Sequence, residues 1–242
     1  MNPLYIIATP IGNLDDISIR SLKMLFSSDV IACEDTRRTG QLIKNYESRI
    51  MNFEWKIKDL IINKTQKLIS FYDEVEELKI PEIIEFIRQG KKVALVSDSG
   101  TPLISDPGYK LVRECLKQQI KVTVVPGPSA LINALTVSGL PPNQFLFLGY
   151  LPAKSGLRIK LLTDLKNTFN HSELKPTVIF YESPHRLNRT LTDIKIIFGD
   201  IKVVIARELT KVYEEIFSEN ISEILKAGKN LKGEITLLFE IK

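Results

Sequence analysis

Three short apolar segments of the chain each run directly into a loop rich in glycine and proline. The pairs of segment and loop are Leu4–Ala8 with Thr9–Asn13, Val93–Val96 with Ser97–Gly108, and Val122–Val125 with Pro126–Ser129. A short apolar run bounded by turn residues is typical of a strand buried on both faces. Glycine permits backbone angles that other residues avoid, and proline fixes φ and removes a hydrogen-bond donor. The three loops therefore predict backbone that approaches one ligand closely.

The first half of the chain alternates strand-like with helix-like segments. Further strands are predicted at Val30–Cys33 and Lys67–Phe71. Helices are predicted at Ile17–Phe26 with Asp16 as N-cap, at Glu82–Gln89 started by Pro81 and ended by Gly90, and at Tyr109–Gln119. This alternation predicts a mostly parallel α/β sheet, which binds ligands at the carboxyl ends of its strands.

The second half of the chain has a different pattern. Strands are predicted at Phe145–Tyr150, Thr177–Tyr181, Val203–Ala206, Glu214–Ser218 and Ile235–Ile241, and helices at Ser129–Val137, Gly156–Phe169, Pro184–Phe198 and Ile221–Ala227. Because only a short helix joins the last two strands, the second sheet is predicted to be mixed or antiparallel. We therefore expect two α/β domains, at residues 1–125 and 126–242.

Composition narrows the class of protein. The 242 residues are 44% hydrophobic and carry a net charge of +4, which permits a nucleic-acid partner without requiring one. No apolar run approaches the ~20 residues of a membrane helix, and the start of the chain lacks the basic region of a secretion signal. Cys33 and Cys115 are predicted to be reduced thiols, and no metal site is expected. These features predict a cytoplasmic protein without membrane or metal partners.

The glycine-rich loops lack the sequence patterns of phosphate-binding sites. Neither G-x-G-x-x-G nor a Walker lysine motif is present. A nucleoside-like ligand without phosphate, held by backbone amides and carbonyls, fits them better.

Cations cluster beside several predicted strand ends. They are Arg37 and Arg38, Lys154 and Arg158, and His185 and Arg186. Such residues can contact the phosphates of RNA, which positions the nucleic acid without reading its sequence. The alternatives are a solvated surface and, for Arg186, an ion pair with Glu182. The segment Gln41–Gln66 is predicted either to pack on the surface or to form a lid.

Seven motifs, taken in order, resemble the ribosomal RNA small-subunit methyltransferase I family, which has the tetrapyrrole methylase fold. The motifs are Thr9–Leu14, Glu34–Arg37, Ser97–Gly108, Pro126–Ala130, Phe180–Leu187, Ala206–Lys211 and Lys232–Glu234. One segment departs from that family, because Tyr72–Glu76 stands where His-Glu-His-Asn-Glu is usual. The triplet Gly100-Thr101-Pro102 replaces the Gly-Asp-Pro of the wider fold and disfavours a corrin or porphyrin substrate.

The resemblance implies a function and a set of site residues. It implies S-adenosylmethionine bound in a cleft between two α/β domains, a homodimer, and 2′-O-methylation of a cytidine in 16S rRNA of the small ribosomal subunit. The residues implied to line the cofactor site are Gly100, Thr101, Ile104, Ser129, Ala130 and Ala206, with Pro10, Ile11 and Gly12 nearby.

Methyl transfer to a ribose oxygen needs positioning and a group that makes the hydroxyl more acidic. Lys211 is expected to favour the developing alkoxide, and Glu208 to orient it or accept the proton; Glu34 and Glu182 are runners-up. Two other functions remain open at this point. One is methylation of a tetrapyrrole, and the other is a non-catalytic module that binds S-adenosylmethionine or RNA.

Overall fold

The computed structural model describes residues 2–52, 55–170, 172–228 and 231–241. The chain divides into two compact units, which we call unit 1 (up to Ser129) and unit 2 (from Ala130). No helix in these described ranges is long and apolar enough to cross a membrane.

Unit 1 is built on a five-stranded parallel sheet with the strand order β3-β2-β4-β1-β5. Its strands are β1 (Leu4–Ile7), β2 (Val30–Cys33), β3 (Lys67–Ser70), β4 (Val93–Val96) and β5 (Val122–Val125). Its helices are α1 (Ile19–Ser27), α2 (Thr36–Met51), α3 (Glu76–Arg88) and α4 (Tyr109–Lys117). The predicted parallel sheet is confirmed.

Both faces of the central strands β2, β4 and β1 are buried, which explains their continuous apolar runs. The edge strand β5 differs from the prediction, because Val124 is 55% exposed. On one face Leu4, Ile6 and Leu95 pack in a cluster with Ile83 and Leu111 of α3 and α4. A second cluster lies between the sheet and helices α1 and α2. It contains Ile7 and Ile31 from the strands, Leu22 and Tyr46 from the helices, and Trp55 from the segment that follows α2. The rings of Tyr46 and Trp55 lie 5.7 Å apart, so this part of Gln41–Gln66 packs on the unit 1 core.

Two helix starts in unit 1 differ from the prediction. Ser18, not Asp16, caps α1: its hydroxyl accepts a hydrogen bond from the Ser21 amide at 3.0 Å, while Asp16 belongs to a preceding 3₁₀ turn. Helix α3 begins at Glu76 and contains Pro81 instead of starting there. A proline in the second turn removes a single helical hydrogen bond, and the first turn still forms ahead of it.

Unit 2 contains a five-stranded mixed sheet with the order β6-β7-β10-β8-β9. Its strands are β6 (Phe145–Tyr150), β7 (Thr177–Glu182), β8 (Lys202–Arg207), β9 (Glu215–Asn220) and β10 (Ile235–Glu240), and its helices are α5 (Ala130–Val137), α6 (Ser155–Asn170), α7 (Leu187–Phe198) and α8 (Ile221–Ala227). Strands β6 and β7 are parallel, and the other pairs are antiparallel, as the mixed-sheet prediction requires. Helix α7 starts at Leu187 and not at Pro184 as predicted, because a turn comes first in which the Ser183 carbonyl accepts from the Arg186 and Leu187 amides.

Candidate functional site

The three glycine and proline loops of unit 1 lie together, because they follow β4, β1 and β5, which are neighbours in the sheet. Thr9 and Gly100 exchange two backbone hydrogen bonds, of 2.8 Å from the Thr9 amide and 3.1 Å from the Gly100 amide. The Thr101 hydroxyl donates to the Pro128 carbonyl at 3.0 Å. We call these joined loops (residues 9–13, 97–108 and 126–129) the loop cradle.

Glycine is required at two contacts within the loop cradle. Gly100 has φ +85°, a conformation that residues with a side chain rarely adopt. At Gly127 an added Cβ would lie 2.9 Å from the Cβ of Ala8, which is closer than such atoms approach. The cradle therefore depends on bare backbone where its loops meet.

The residues predicted for the cofactor lie in both units. In unit 1, Pro10 and Ile11 are buried, Gly12 is exposed, and Ile104 is 38% exposed; Gly100, Thr101 and Ser129 complete the set. Ala130 begins α5 and Ala206 lies in β8 of unit 2. Their role in binding stays a prediction, as does the cleft.

The longest loop of the cradle is held by a residue that sequence reasoning missed. The buried carboxylate of Glu76 accepts hydrogen bonds from the Gly108 and Lys110 amides, both at 3.1 Å, where the loop enters α4. The sequence pattern places the start of α3 at Glu82, so Glu76 carries no local sign of this role. A buried acid that closes a distant loop leaves no periodic signal in the sequence.

Carboxylates crowd beside the loop cradle at the ends of β2 and β4. Burial, followed by the negative charge of Glu34, raises the pKa of Asp106 to about 7. Burial and Asp98 likewise raise the pKa of Glu34. Asp106, buried beside the charge of Glu34, therefore holds a proton more readily than an isolated aspartic acid does.

Arg37 and Arg38, predicted to bind the substrate, lie at the start of α2 with carboxylate partners. Arg37 pairs with Asp35 at 2.8 Å and Arg38 with Asp98 at 3.2 Å, while both arginines remain largely exposed. The hydrogen bonds from Arg37 hold the pKa of Asp35 well below its usual range. Both guanidinium groups can still reach an external phosphate.

In unit 2, strands β6, β7 and β8 point the same way, because β7 is parallel to β6 and both β7 and β8 are antiparallel to β10. The carboxyl ends of these three strands therefore lie at the same end of the sheet. We call this end, together with the residues that follow the strands there, the unit 2 edge. Lys211 lies there between two carboxylates, donating to Glu208 Oε1 and Glu234 Oε2 at 2.9 Å each. Glu208 Oε1 also accepts from the Glu234 amide at 3.0 Å. The structure thus joins the two predicted catalytic residues in one network.

The charges in this network are fixed by their neighbours. Burial alone would lower the pKa of Lys211, but hydrogen bonds to Glu208 and Glu234 outweigh it and raise that pKa. Burial alone would raise the pKa of Glu208, but the Glu234 amide and Lys211 outweigh it and lower that pKa. Lys211 is therefore a persistent cation and Glu208 a persistent carboxylate, which suits charge stabilisation better than proton acceptance.

The expectation that Arg158 is a solvent-facing cation is wrong. Arg158 is only 2% exposed. Its guanidinium donates to Asp193 Oδ2 at 2.7 Å and to the carbonyls of Pro152 and Ala153 at 3.0 and 3.2 Å. The residues before Arg158 in α6 are exposed, and a basic residue in such a stretch is predicted to be solvated. Arg158 instead joins α6 to α7 through its buried contact with Asp193.

Arg186 and its neighbour Glu182 also belong to the framework of unit 2. Arg186 donates to the Leu151 carbonyl at 2.5 Å and forms an ion pair with Glu182 at 3.2 Å, which is the alternative considered from the sequence. The Glu182 side chain is fully buried and accepts from the Ser183 amide and the Thr190 hydroxyl. These contacts leave Glu182 positioned as a structural acid and not as a base open to substrate.

One lysine, one arginine and one histidine remain available at the unit 2 edge. Within the ranges that the structure describes, Lys154, His185 and Arg189 have exposed side chains and no ion-pair partner. Lys154 follows β6, and His185 and Arg189 follow β7. They are the residues of this edge best suited to contact a phosphate backbone.

Comparison with known proteins places the chain in a family. The model of the tetrapyrrole (corrin/porphyrin) methylases matches residues 3–225. The ribosomal RNA small subunit methyltransferase I of Thermotoga maritima is 44% identical over the whole length of both chains, and that of Hydrogenobaculum sp. is 46% identical over 97% of this chain and 94% of its own. The chain belongs to the ribosomal RNA small subunit methyltransferase I family within the tetrapyrrole methylases. Another relative, from Escherichia coli O157:H7, is 42% identical over 98% of this chain and 77% of its own.

Solved structures support the fold. Cobalt precorrin-4 methyltransferase, a cobalamin biosynthetic enzyme, matches 97% of this chain and 93% of its own with a TM-score of 0.60 at 17% identity. Uroporphyrin-III-C-methyltransferase from Thermus thermophilus matches 98% and 94% with a TM-score of 0.62 at 14% identity. At such identities the likeness shows the tetrapyrrole methylase fold alone.

The tetrapyrrole methylases use S-adenosylmethionine, so this member of the family is a methyltransferase with that cofactor. The loop cradle fits such a group. Two of its contacts, at Gly100 and Gly127, leave little room for a side chain, and the apolar Ile104 beside them is partly exposed. Backbone groups and apolar contacts suit a nucleoside with an uncharged ribose and base.

Proposed function

We propose that this methyltransferase methylates the 2′-oxygen of a cytidine ribose in 16S rRNA of the small ribosomal subunit. The observation that carries the proposal is the full-length identity of 44% to a ribosomal RNA small subunit methyltransferase I. The tetrapyrrole alternative rests on the name of the wider family and on fold likeness at 14–17% identity, and a shared fold carries no substrate information. The substrate implies a cytoplasmic enzyme, and we propose a homodimer as its working form.

The cofactor is proposed to bind at the loop cradle, with further contacts from Ala130 and Ala206. Pro10, Ile11, Gly12, Gly100, Thr101, Ile104 and Ser129 would hold it. When bound, S-adenosylmethionine supplies an activated methyl group on its sulfonium. The cradle's own contribution is positioning, because holding two reactants in line can supply much of a rate enhancement.

Lys211 is proposed to act on the ribose hydroxyl. Its ammonium stays charged because Glu208 and Glu234 hold it, so it can stabilise negative charge that develops on the 2′-oxygen. Glu208 is proposed to orient Lys211, since its lowered pKa makes it a poor proton acceptor near neutral pH.

RNA is proposed to contact Lys154, His185 and Arg189 of the unit 2 edge and Arg37 and Arg38 of unit 1. Each lysine or arginine that neutralises a phosphate releases a counterion, so affinity falls with salt in proportion to the number of such contacts. Lys154→Ala is expected to reduce the slope of log affinity against log salt by about one. Lys226→Ala, on the exposed surface of α8 and paired with Glu223, is the matched control and should leave the slope unchanged.

The function is tested by transfer of labelled methyl groups to small ribosomal subunits that lack the modification. We expect label in the ribose of a cytidine, and label in a base or in protein would refute the proposal. In the same assay Lys211→Met should lower turnover at saturating RNA by about a hundredfold, as loss of a preorganised charge-stabilising donor does. Near-normal turnover of this variant would show that Lys211 is not catalytic.

Gly233 offers a second test of the network around Lys211. An added Cβ at Gly233, whose φ is +87°, would overlap the Glu208 carboxyl. Gly233→Ala should therefore reduce turnover while S-adenosylmethionine binding persists. Gly139→Ala, also at positive φ but with open space around it, controls for backbone strain alone and should retain turnover.

A further inference from the structure

Glu76 joins two parts of unit 1 that are distant in sequence. Glu76 is the first residue of α3, and one oxygen of its carboxylate accepts hydrogen bonds from the Gly108 and Lys110 amides. These two residues lie where the 97–108 loop joins α4. The side chain is buried, with the residue 4% exposed. Hydrogen bonds from amides to a buried carboxylate are stronger than neutral ones, so this contact fixes the loop end firmly.

The loop that Glu76 holds has an unfavourable backbone. Leu103 and Ser105 have φ of +73° and +66°, and Gly108 has φ +128°. Residues with side chains persist in left-handed conformations only where their surroundings impose them. At Gly108 the space for a Cβ is filled by Leu95 and Leu103, so the chain is held closely from the side of the core as well.

The opposite end of the same loop is fixed by other contacts. Gly100 is bonded to Thr9, and Thr101 to Pro128. Within the described residues, the loop is thus tied at its start by the neighbouring loops of the cradle and at its end by Glu76. Loss of either attachment would free Leu103 and Ser105 to leave their left-handed conformations, and Ile104 between them to move with them.

We infer that Glu76 is a positioning residue for cofactor binding: its carboxylate holds the 97–108 loop in the conformation that receives S-adenosylmethionine. The inference rests on the proposed place of the cofactor at the loop cradle. Glu76 itself does not touch the reacting atoms. Its effect is to pre-form the site, so that binding does not have to order the loop.

The experiment compares Glu76→Ala and Glu76→Gln with the wild type by calorimetric S-adenosylmethionine binding and by amide hydrogen exchange without ligand. Glu76→Ala should weaken binding by about tenfold or more and abolish protection of the Gly108 and Lys110 amides. Glu76→Gln keeps an oxygen acceptor and should restore both to near wild-type values. In turnover assays Glu76→Ala should raise the KM for S-adenosylmethionine while kcat at saturation changes little.

Asp29→Ala is the matched control for general loss of stability. The Asp29 carboxylate also accepts a backbone amide, that of Lys92 at 2.8 Å, but at the amino ends of β2 and β4. The Asp29→Ala variant should have a lower thermal midpoint than the wild type, and its S-adenosylmethionine affinity should stay within about twofold of the wild-type value. If Glu76→Ala does not fold, Glu76→Asp replaces it, since a side chain one methylene shorter keeps the charge but cannot reach both amides.

Three results would overturn the inference. The first is cofactor affinity of the Glu76 variant within twofold of the wild type, and the second is equal weakening in Asp29→Ala. The third is unchanged protection of the Gly108 amide, which would show that Glu76 does not hold the loop. Failure of the proposed function is distinguishable, because a wrong substrate would leave these binding and exchange results as expected, whereas a wild type that does not bind S-adenosylmethionine would refute the cofactor site.

Discussion

Replacement of Arg158 by alanine tests whether this buried cation serves stability or RNA. The substitution removes the ion-pair partner of the Asp193 carboxylate, which keeps the Ser155 hydroxyl as a donor, and leaves the Pro152 and Ala153 carbonyls without the Arg158 donor. Breaking a buried ion pair by removing one partner costs about 3–5 kcal/mol, because the remaining charge stays desolvated. This cost is a large part of the free energy of unfolding of a typical domain, which is about 5–15 kcal/mol.

Urea unfolding of Arg158→Ala should show this loss directly. With a slope of about 2 kcal/mol per molar urea, the midpoint for unit 2 should fall by about 2 M. Amide hydrogen exchange separates unit 2 from unit 1, which matters because two units need not unfold together. The salt slope of RNA affinity, measured on folded protein, should match the wild type.

The double variant Arg158→Leu/Asp193→Leu supplies the control. Replacing both charges with apolar side chains avoids the unpaired carboxylate and should recover much of the stability. An unchanged urea midpoint in Arg158→Ala would refute the structural role. A salt slope lowered by about one would instead restore Arg158 as a phosphate contact.

Two further predictions concern unit 1. Gly127→Ala should weaken S-adenosylmethionine binding measured by calorimetry, because its Cβ would lie 2.9 Å from that of Ala8 and force the loops apart. Gly156→Ala is the control, since Gly156 has open space around it, and it should leave binding unchanged. The pKa of Asp106 is raised from 3.8 to about 7, so the folded state binds this proton more tightly than the unfolded state does. The proton's contribution to the free energy of unfolding is therefore full below pH 3.8 and is lost as pH rises through about 7. Asp106→Asn should flatten the dependence of thermal midpoint on pH in that window, and an unaltered dependence would show that burial and the charge of Glu34 do not raise the pKa of Asp106.

The strands and the loop cradle could be predicted because they depend on local signals. Val93–Val96 is a buried run ended by turn residues, and such a run specifies both a strand and the place where it ends. Parallel connection then brings the following loops to one edge. The start of α3 could not be predicted, because Pro81 is a stronger local signal for a helix start than the acid-rich turn at Glu76.

The site residues divide along a similar line. Lys211 and Glu208 are close in sequence on a tight turn, so their contact follows from local geometry. The role of Arg158 depends on Asp193, which lies 35 residues away on another helix, and neither residue carries a mark of that pairing. Burial of a charge is a property of tertiary packing, and a single sequence does not specify it.

The order of strands in unit 1 also bears on how the protein is made. The Thr9 hydroxyl bonds to the Ser97 carbonyl across 88 residues, and β1 lies between β4 and β5, the two strands of its sheet that are synthesised last. During translation β1 therefore emerges long before either neighbour exists, with its edge groups unpaired. Contacts this distant in sequence also slow folding. The loop cradle, where the cofactor is proposed to bind, cannot form until more than half of the chain has left the ribosome, the particle whose RNA this enzyme is proposed to modify.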